Sequence, residues 1–306
     1  MIKMPGKSYD GPLPPLTEEE TALRDALRQD VETLAAEIGE RNVFRYPRLA
    51  AAADFIERSF ADAGYAVRRE GFEASGQMCY NLEAAITGVD KPDEIVVVGG
   101  HYDSVLGCPG ANDNATGVAA TLALARAFSG KKPSRTLRFV AFVNEEPPFF
   151  QTDQMGSMVY AKGCRDRNEK VVAMLSLETI GYYRDEAGSQ QYPFPMGLFY
   201  PSTGNFIAFV GNTASKKLVR EVVASFRRQA KFPSEGGALP NAVPGVGWSD
   251  HWGFWQMGYP ALMVTDTAPF RYPYYHTPQD TPDKVDYDPF ARLTAGLALV
   301  VGDLVG

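Results

Sequence analysis

The chain begins with a proline-spaced polar stretch and then falls into periodic apolar runs. Residues 1–16 hold Pro5, Pro12, Pro14 and Pro15 and little to bury, which predicts a flexible arm. Thr17 and Glu20 have the spacing of a capping box. Leu23, Leu27, Val31, Leu34 and Ile38 follow on one helical face, and Gly39 is positioned to end that helix. A second helix is expected over residues 48–63, with Leu49, Ala52, Ala53, Ile56 and Phe60 turned inward and Gly64 as its stop.

Beyond Gly64, strand-like runs alternate with helical ones. The pattern predicts strands over 66–72, 80–86, 94–99, 136–143, 171–177, 206–210 and 260–264. Helices are predicted over 116–129, 153–163 and 214–229, with a last one after Asp288-Pro289. Runs such as Ile95-Val96-Val97-Val98 are apolar throughout, as strands covered on both faces require. The alternation reads as an α/β fold: one domain over residues 17–306, with an open, mostly parallel (mixed) central sheet and helices on both faces. Such sheets place ligands outside the carboxyl ends of their strands, and the chemistry is sought there.

Five segments at those ends carry it. Val96–Gly100 leads into His101, with Asp103 two residues on, placed to receive the second ring N–H of a metal-bound imidazole. Gly110-Ala111-Asn112-Asp113-Asn114 opens a helix, so Asp113 is either an N-cap or a metal ligand. The strand 136–143 runs out through Asn144 into Glu145-Glu146-Pro147-Pro148. Adjacent carboxylates at a buried strand end repel unless something positive lies between them, and the two prolines predict an extended exit. The strand 171–177 ends at Glu178. Tyr274-Tyr275-His276 leads through Thr277 to Asp280, a second acidic group expected to support the ligands. The chain has only three histidines, and two of them lie in these segments.

Three carboxylates and two neutral imidazoles bring a charge of −3, and a bridging hydroxide makes −4, which two Zn²⁺ ions balance. Asp113 spanning both ions leaves each with one His and one terminal carboxylate, the N and O donors that zinc favours. Glu145, held out of the ligand set, is then the general base for hydrolysis of an amide by activated water.

The set Gly100-His101-Tyr102-Asp103, Gly110–Gly117, Asn144-Glu145-Glu146, Ser176-Leu177-Glu178 and Tyr275-His276-Thr277 through Asp280-Thr281 resembles the zinc-dependent aminopeptidases with co-catalytic metals. Glutamate carboxypeptidase-like and glutaminyl cyclase-like proteins belong to the same group, and the likeness covers roughly residues 80–300. The resemblance implies one zinc on His101, Asp113 and Glu178, and another on Asp113, Glu146 and His276, with Glu145 as base. It also implies a cis peptide after Asp113. In one respect the chain departs: Glu178 stands where these peptidases mostly carry Asp, so either two zincs are bound or only one, as in the cyclases. An aminopeptidase is expected first, a cyclotransferase closing N-terminal glutamine second, and a non-catalytic binding module third.

Substrate signals are fewer. Trp248, Trp252 and Trp255 share a helical face and read as core or pocket, with Asp250 and His251 beside them as pocket or supporting residues. The aromatic run 270–275 is expected to line the cleft, which puts Trp252, Tyr274 and Tyr275 near a peptide or small amide substrate. Composition narrows the setting. Apolar residues are 45% of 306 and charged residues 22%, enough for a sizeable core. The net charge of −7 argues against a nucleic-acid partner, and no apolar run is long enough for a membrane helix. Three cysteines make no disulfide framework. With no signal-peptide pattern at its start, the chain is expected in the cytoplasm, or outside if a leader has been removed. Oligomeric state is left open.

Overall fold

In the computed structural model, which describes residues 3–306, the capping box forms as expected. Thr17 Oγ1 accepts from Glu20 N (3.1 Å) and Thr17 N donates to Glu20 Oε2 (2.9 Å). It starts α1 (Glu18–Glu32), and a π turn over Thr33–Ile38 carries the apolar stripe on to Gly39, where φ is 76°. α2 (Tyr46–Asp62) takes Pro47 in its first turn. There follow β1 (Val67–Ala74), β2 (Gln77–Ile86), β3 (Lys91–His101), α3 (Thr116–Phe128), β4 (Arg135–Phe142), α4 (Gly156–Asp166) and β5 (Lys170–Glu178). The chain closes with β6 (Ile207–Asn212), α5 (Lys216–Gln229), β7 (Ser234–Leu239), α6 (His251–Gln256), β8 (Ala261–Thr265) and α7 (Tyr287–Val305). Met1 and Ile2, part of the expected arm, lie outside the described residues. Residues 3–16 form no helix or strand. They run along the body, taking hydrogen bonds from Arg220 at Lys3 O (2.8 Å) and from Arg227 at Gly6 O (3.2 Å).

The strands form one sheet in the order β1-β2-β4-β3-β5-β8-β6-β7. β3 runs parallel to β4 and β5, β5 to β8, and β6 to β7, while β1/β2, β2/β4 and β6/β8 are antiparallel. Alternation along β3 sorts the layers. Val96 and Val98 face the core made with α1, α2, α3, α5 and α7, whereas Val97 joins Val140 and Phe142 in a second core with α4 and α6.

Two elements escape the sequence pattern. β7 reads Ser-Glu-Gly-Gly-Ala-Leu, poor strand formers, and it forms at the sheet edge by pairing with β6 alone. α6 has six residues, too few to show a period. The tryptophans therefore do not make one stripe: Trp255 is buried in the second core, while Trp248 lies outside the helix, 43% exposed.

The start of α3 is pressed against the end of β5. Asn114 Oδ1 accepts from Gly117 N (3.1 Å) and Thr179 N (3.0 Å), and its Nδ2 donates to Leu177 O (2.8 Å). A Cβ on Gly117 would lie 2.2 Å from Leu177 O, so only glycine permits this approach. Gly117→Ala is expected to cost about 2–3 kcal/mol, measured as the shift of the urea unfolding midpoint. A loss within experimental error would mean that α3 and β5 separate freely.

Candidate metal centre

β4, β3 and β5 are neighbours in the sheet, and their carboxyl ends deliver Glu145-Glu146, His101 and Glu178 to one rim. Asp113 reaches the same point from the loop ahead of α3, and His276 from the loop after β8. His101 Nε2 lies 3.3 Å from Asp113 Oδ1 and 3.3 Å from Glu178 Oε2. His276 Nε2 lies 3.1 Å from Asp113 Oδ2 and 3.3 Å from Glu146 Oε2. Donor atoms of His101, Asp113 and Glu178 thus form one compact group, those of Asp113, Glu146 and His276 another, and Asp113 offers one oxygen to each. Glu145 sits slightly farther off, its Oε2 3.8 Å from His101 Nε2, and with His101 and Glu146 it makes a third group that does not include Asp113. The longer side chain at 178 reaches its group.

Most of the donors are fixed from behind. Asp280 accepts from Asn112 N (2.8 Å) and Asp113 N (3.0 Å) and is itself held by Tyr272 OH (2.7 Å). The Asp113–Asn114 peptide is cis. Asp103 does a second job besides the one its spacing suggests, its Oδ1 lying 3.6 Å from His101 Nδ1. Its carboxylate accepts from Glu145 N and Glu146 N (both 3.1 Å), and its backbone oxygen, 3.1 Å from His101 Nδ1, is the nearer partner of the ring. Asn144 in the left-handed region (φ 60°) turns both glutamates inward. Their exit is a turn, not the extended segment the prolines predict: Phe149 N donates back to Glu146 O (3.0 Å). Ser249, which the sequence reading passed over, donates to Glu178 Oε2 (2.7 Å) and meets Ser176 Oγ (2.8 Å). A serine one residue past Trp248 was the only available signal.

Buried carboxylates this close oppose one another's charge. Burial, with Asp113 beside it, lifts Glu146 to about 7 against the pull of His276. Burial, with Glu178 and Glu146 nearby, lifts Glu145 well above the usual range despite His101. For Asp113 burial is outweighed by His101 and His276, which hold it below that range. Burial also opposes charge on His276, yet Asp113 and Glu146 raise it to about 10. His101 Nε2, Asp113 Oδ1 and Glu146 Oε1 are buried without a hydrogen-bond partner. Unpartnered nitrogen and oxygen donors converging at one point suit zinc, so the residues fit such an ion.

A cleft lined mainly by apolar and aromatic residues opens beside Glu178. Tyr275 lines it and stacks on His276, ring centroids 3.9 Å apart. The other residues expected to shape the pocket do not line it, though Asp250 lies near enough to His101, Glu178 and Glu145 to act on their charge. Asp250 and His251 are fully buried at the start of α6, where the helix packs into the second core. Burial lifts Asp250 to about 7 and lowers His251 to about 4. Trp252 and Tyr274 are outside the lining, and Trp248 is part of it.

Residues 81–301 match the model of peptidase family M28. The uncharacterized protein YfbL of Escherichia coli K12 is 36% identical over 282 residues, 89% of this chain and 86% of its own. A probable zinc metalloprotease of Pyrenophora teres f. teres is 30% identical over 61% of this chain, which spans only 41% of that relative. Among solved structures, the zinc aminopeptidase BSAP of Bacillus subtilis superposes with a TM-score of 0.74 at 14% identity, covering 92% of this chain and 95% of that one. A glutaminyl cyclase of Fimbriiglobus ruber gives 0.67 at 21%, covering 96% and 97%. These two share the fold. With the family model spanning most of the chain and YfbL aligned along nearly all of it, this protein belongs to peptidase family M28.

Proposed function

We propose that the chain is a zinc-dependent aminopeptidase that cleaves peptides or small amides through water activated beside Glu145. One observation carries this reading: two donor groups share Asp113, with Glu145 next to them and a cleft that shares Glu178 and Tyr275 with the centre. His101, Asp113 and Glu178 would hold one zinc, and Asp113, Glu146 and His276 the second. Bound there, zinc supplies a Lewis acid for the scissile carbonyl and lowers the pKa of the attacking water.

The chain's own groups do the rest. Glu145 belongs to neither of the two groups that share Asp113, so it is free to take a proton from water and return it to the leaving amine. Asp103 fixes the backbone on which Glu145 hangs, and Asp280 fixes Asp113. Tyr275, whose hydroxyl is raised by burial and by Asp113, Glu146, Glu178 and Glu145, stays protonated and can donate to the developing oxyanion.

Glu145→Gln is expected to lower kcat/KM on an aminoacyl anilide by about 10²–10⁴-fold while zinc content stays unchanged. Hydrolysis at the wild-type rate would refute the role of Glu145. Elemental analysis of protein purified without chelator is expected to find two zincs per chain. Removing them with 1,10-phenanthroline should abolish turnover, and added zinc should restore it. A single tightly held zinc, with ring closure of glutaminyl peptides, would support the cyclase reading instead. No metal and no uptake would leave a binding module.

A further inference from the structure

One wall of the cleft is a strap over residues 184–206. Arg184 N donates to Gly204 O (2.9 Å), Gln190 N donates to Ser202 O (3.0 Å), and Ala187 bridges Thr203, so its root is a short antiparallel ladder. Tyr192 stacks on Tyr200, ring centroids 5.8 Å apart, and a 3₁₀ turn over Met196–Leu198 forms the tip. Two anchors tie it to the body: Gln191 N donates to Phe270 O (2.8 Å) and Tyr200 OH to Gly236 O (3.0 Å). Between them, among the described residues, every hydrogen bond of the strap is made within it. The tip is therefore one layer thick, and its place depends on what packs against its two faces.

Both faces are apolar. Pro193 and Met196 look into the cleft. Phe194, Leu198 and Phe199 do not line it and stand in water, 92%, 75% and 58% exposed. Trp248 continues the apolar rim from a second loop of the same cleft. Charge is missing from both segments: no Asp, Glu, Lys or Arg occurs from Ala187 to Gly204 or from Gly236 to Ser249, in a chain with 22% charged residues. Interface cores carry this signature, rich in aromatic residues and methionine and depleted in charge. At roughly 150–250 Å² per aromatic side chain, the bare parts of Phe194, Phe199 and Trp248 come to about 400 Å², within the range of patches that mark binding surfaces. A specific interface takes about 500 Å² from each partner, which Leu198 and the exposed Pro195 and Pro244 make up.

The missing charge also selects the occupant. Anionic lipid and nucleic acid are met by Lys and Arg, and the strap has neither between Ala187 and Gly204. A second copy of this chain brings the same patch, because a two-fold contact sets like against like. An uncharged patch permits that without local repulsion, although each copy carries a net −7. We propose that the protein forms a two-fold dimer through the outer face of the strap, with Phe194, Leu198 and Phe199 of each copy packed together. The contact covers the bare face of the wall and holds the strap over the cleft. It is independent of the chemistry proposed for the metal centre.

Sedimentation velocity of the full chain at micromolar concentration is expected to give twice 33.5 kDa, with dissociation on dilution. Leu198→Asp, with Phe194→Asp as a second variant, should weaken the dimer at least tenfold by placing a charge in the contact, while the urea midpoint shows that each variant is folded. Leu299→Asp, at an exposed apolar position of α7 that does not line the cleft, should leave the dimer intact. The native cysteines Cys79, Cys108 and Cys164 are all buried. Leu198→Cys should therefore cross-link to its own copy with a short bismaleimide, and Leu299→Cys should not. A monomer throughout the micromolar range, or a dimer that the folded strap variants leave unchanged, would overturn the proposal. So would a monomer that floats with phosphatidylcholine vesicles and loses this in Leu198→Asp, which would make the strap a membrane contact.

Discussion

Negative charge concentrated in a buried rim is the constraint on which this structure turns. Asp103, Asp113, Glu145, Glu146, Glu178 and Asp280 are all buried there, and a carboxylate out of water must be compensated by donors or by positive charge. The fold divides them between two tasks. Asp103 and Asp280 each spend both oxygens on backbone N–H groups, which satisfies them and makes them clamps. Asp113 and Glu146 keep oxygens without any hydrogen-bond partner. Among these neighbouring acids, the ones that position the site are thus distinguished by their partners from the ones that can receive an ion.

The clamps work because the loops they hold are fixed from a distance. Arg41, fully buried between α1 and α2, donates to Tyr102 O (2.6 Å), Pro109 O (2.5 Å) and Gly110 O (2.8 Å). It therefore grips both ends of the loop that separates His101 from Asp113. Burial works against its charge, and Asp103, Asp280 and Asp113 work for it. A guanidinium is suited to this place because its fan of donors reaches several carbonyls at once. The helical unit ahead of the family match is consequently part of the frame of the centre.

How much of this was legible in the sequence depended on the kind of signal. The central strands were visible because burial on both faces writes continuous apolar runs such as Ile95–Val98. The rim was visible because His101, Glu145-Glu146 and Glu178 follow those runs directly. β7 was invisible for the opposite reason: an edge strand paired on one side tolerates Ser-Glu-Gly-Gly, which periodicity reads as loop. α6 was too short to register, so the tryptophans at 248, 252 and 255 appeared to share a face that the chain does not build. Asp103 lies beside His101 as its spacing suggests, but its carboxylate also holds a neighbouring strand's exit, a partner no local pattern encodes. Ser249 was missed likewise, since its contact with Glu178 spans 71 residues.

The strand that local propensity hid is also the one that completes the cleft, and this follows from the sheet's geometry. Parallel central strands present only their ends to a ligand, which suits a compact set of donors. A cleft needs a surface, and the sheet offers one only beyond β5, where Thr265 of β8, Ala208 of β6 and Glu235 of β7 extend the row that begins at Glu178. Glu178 thus belongs to both regions, as a donor at a strand end and as the first position of that row. Ser249 Oγ holds its carboxylate at 2.7 Å, and the preceding residue, Trp248, stands in the wall. Whatever occupies the cleft therefore bears on the same short segment that orients Glu178, so that recognition and chemistry meet at one carboxylate.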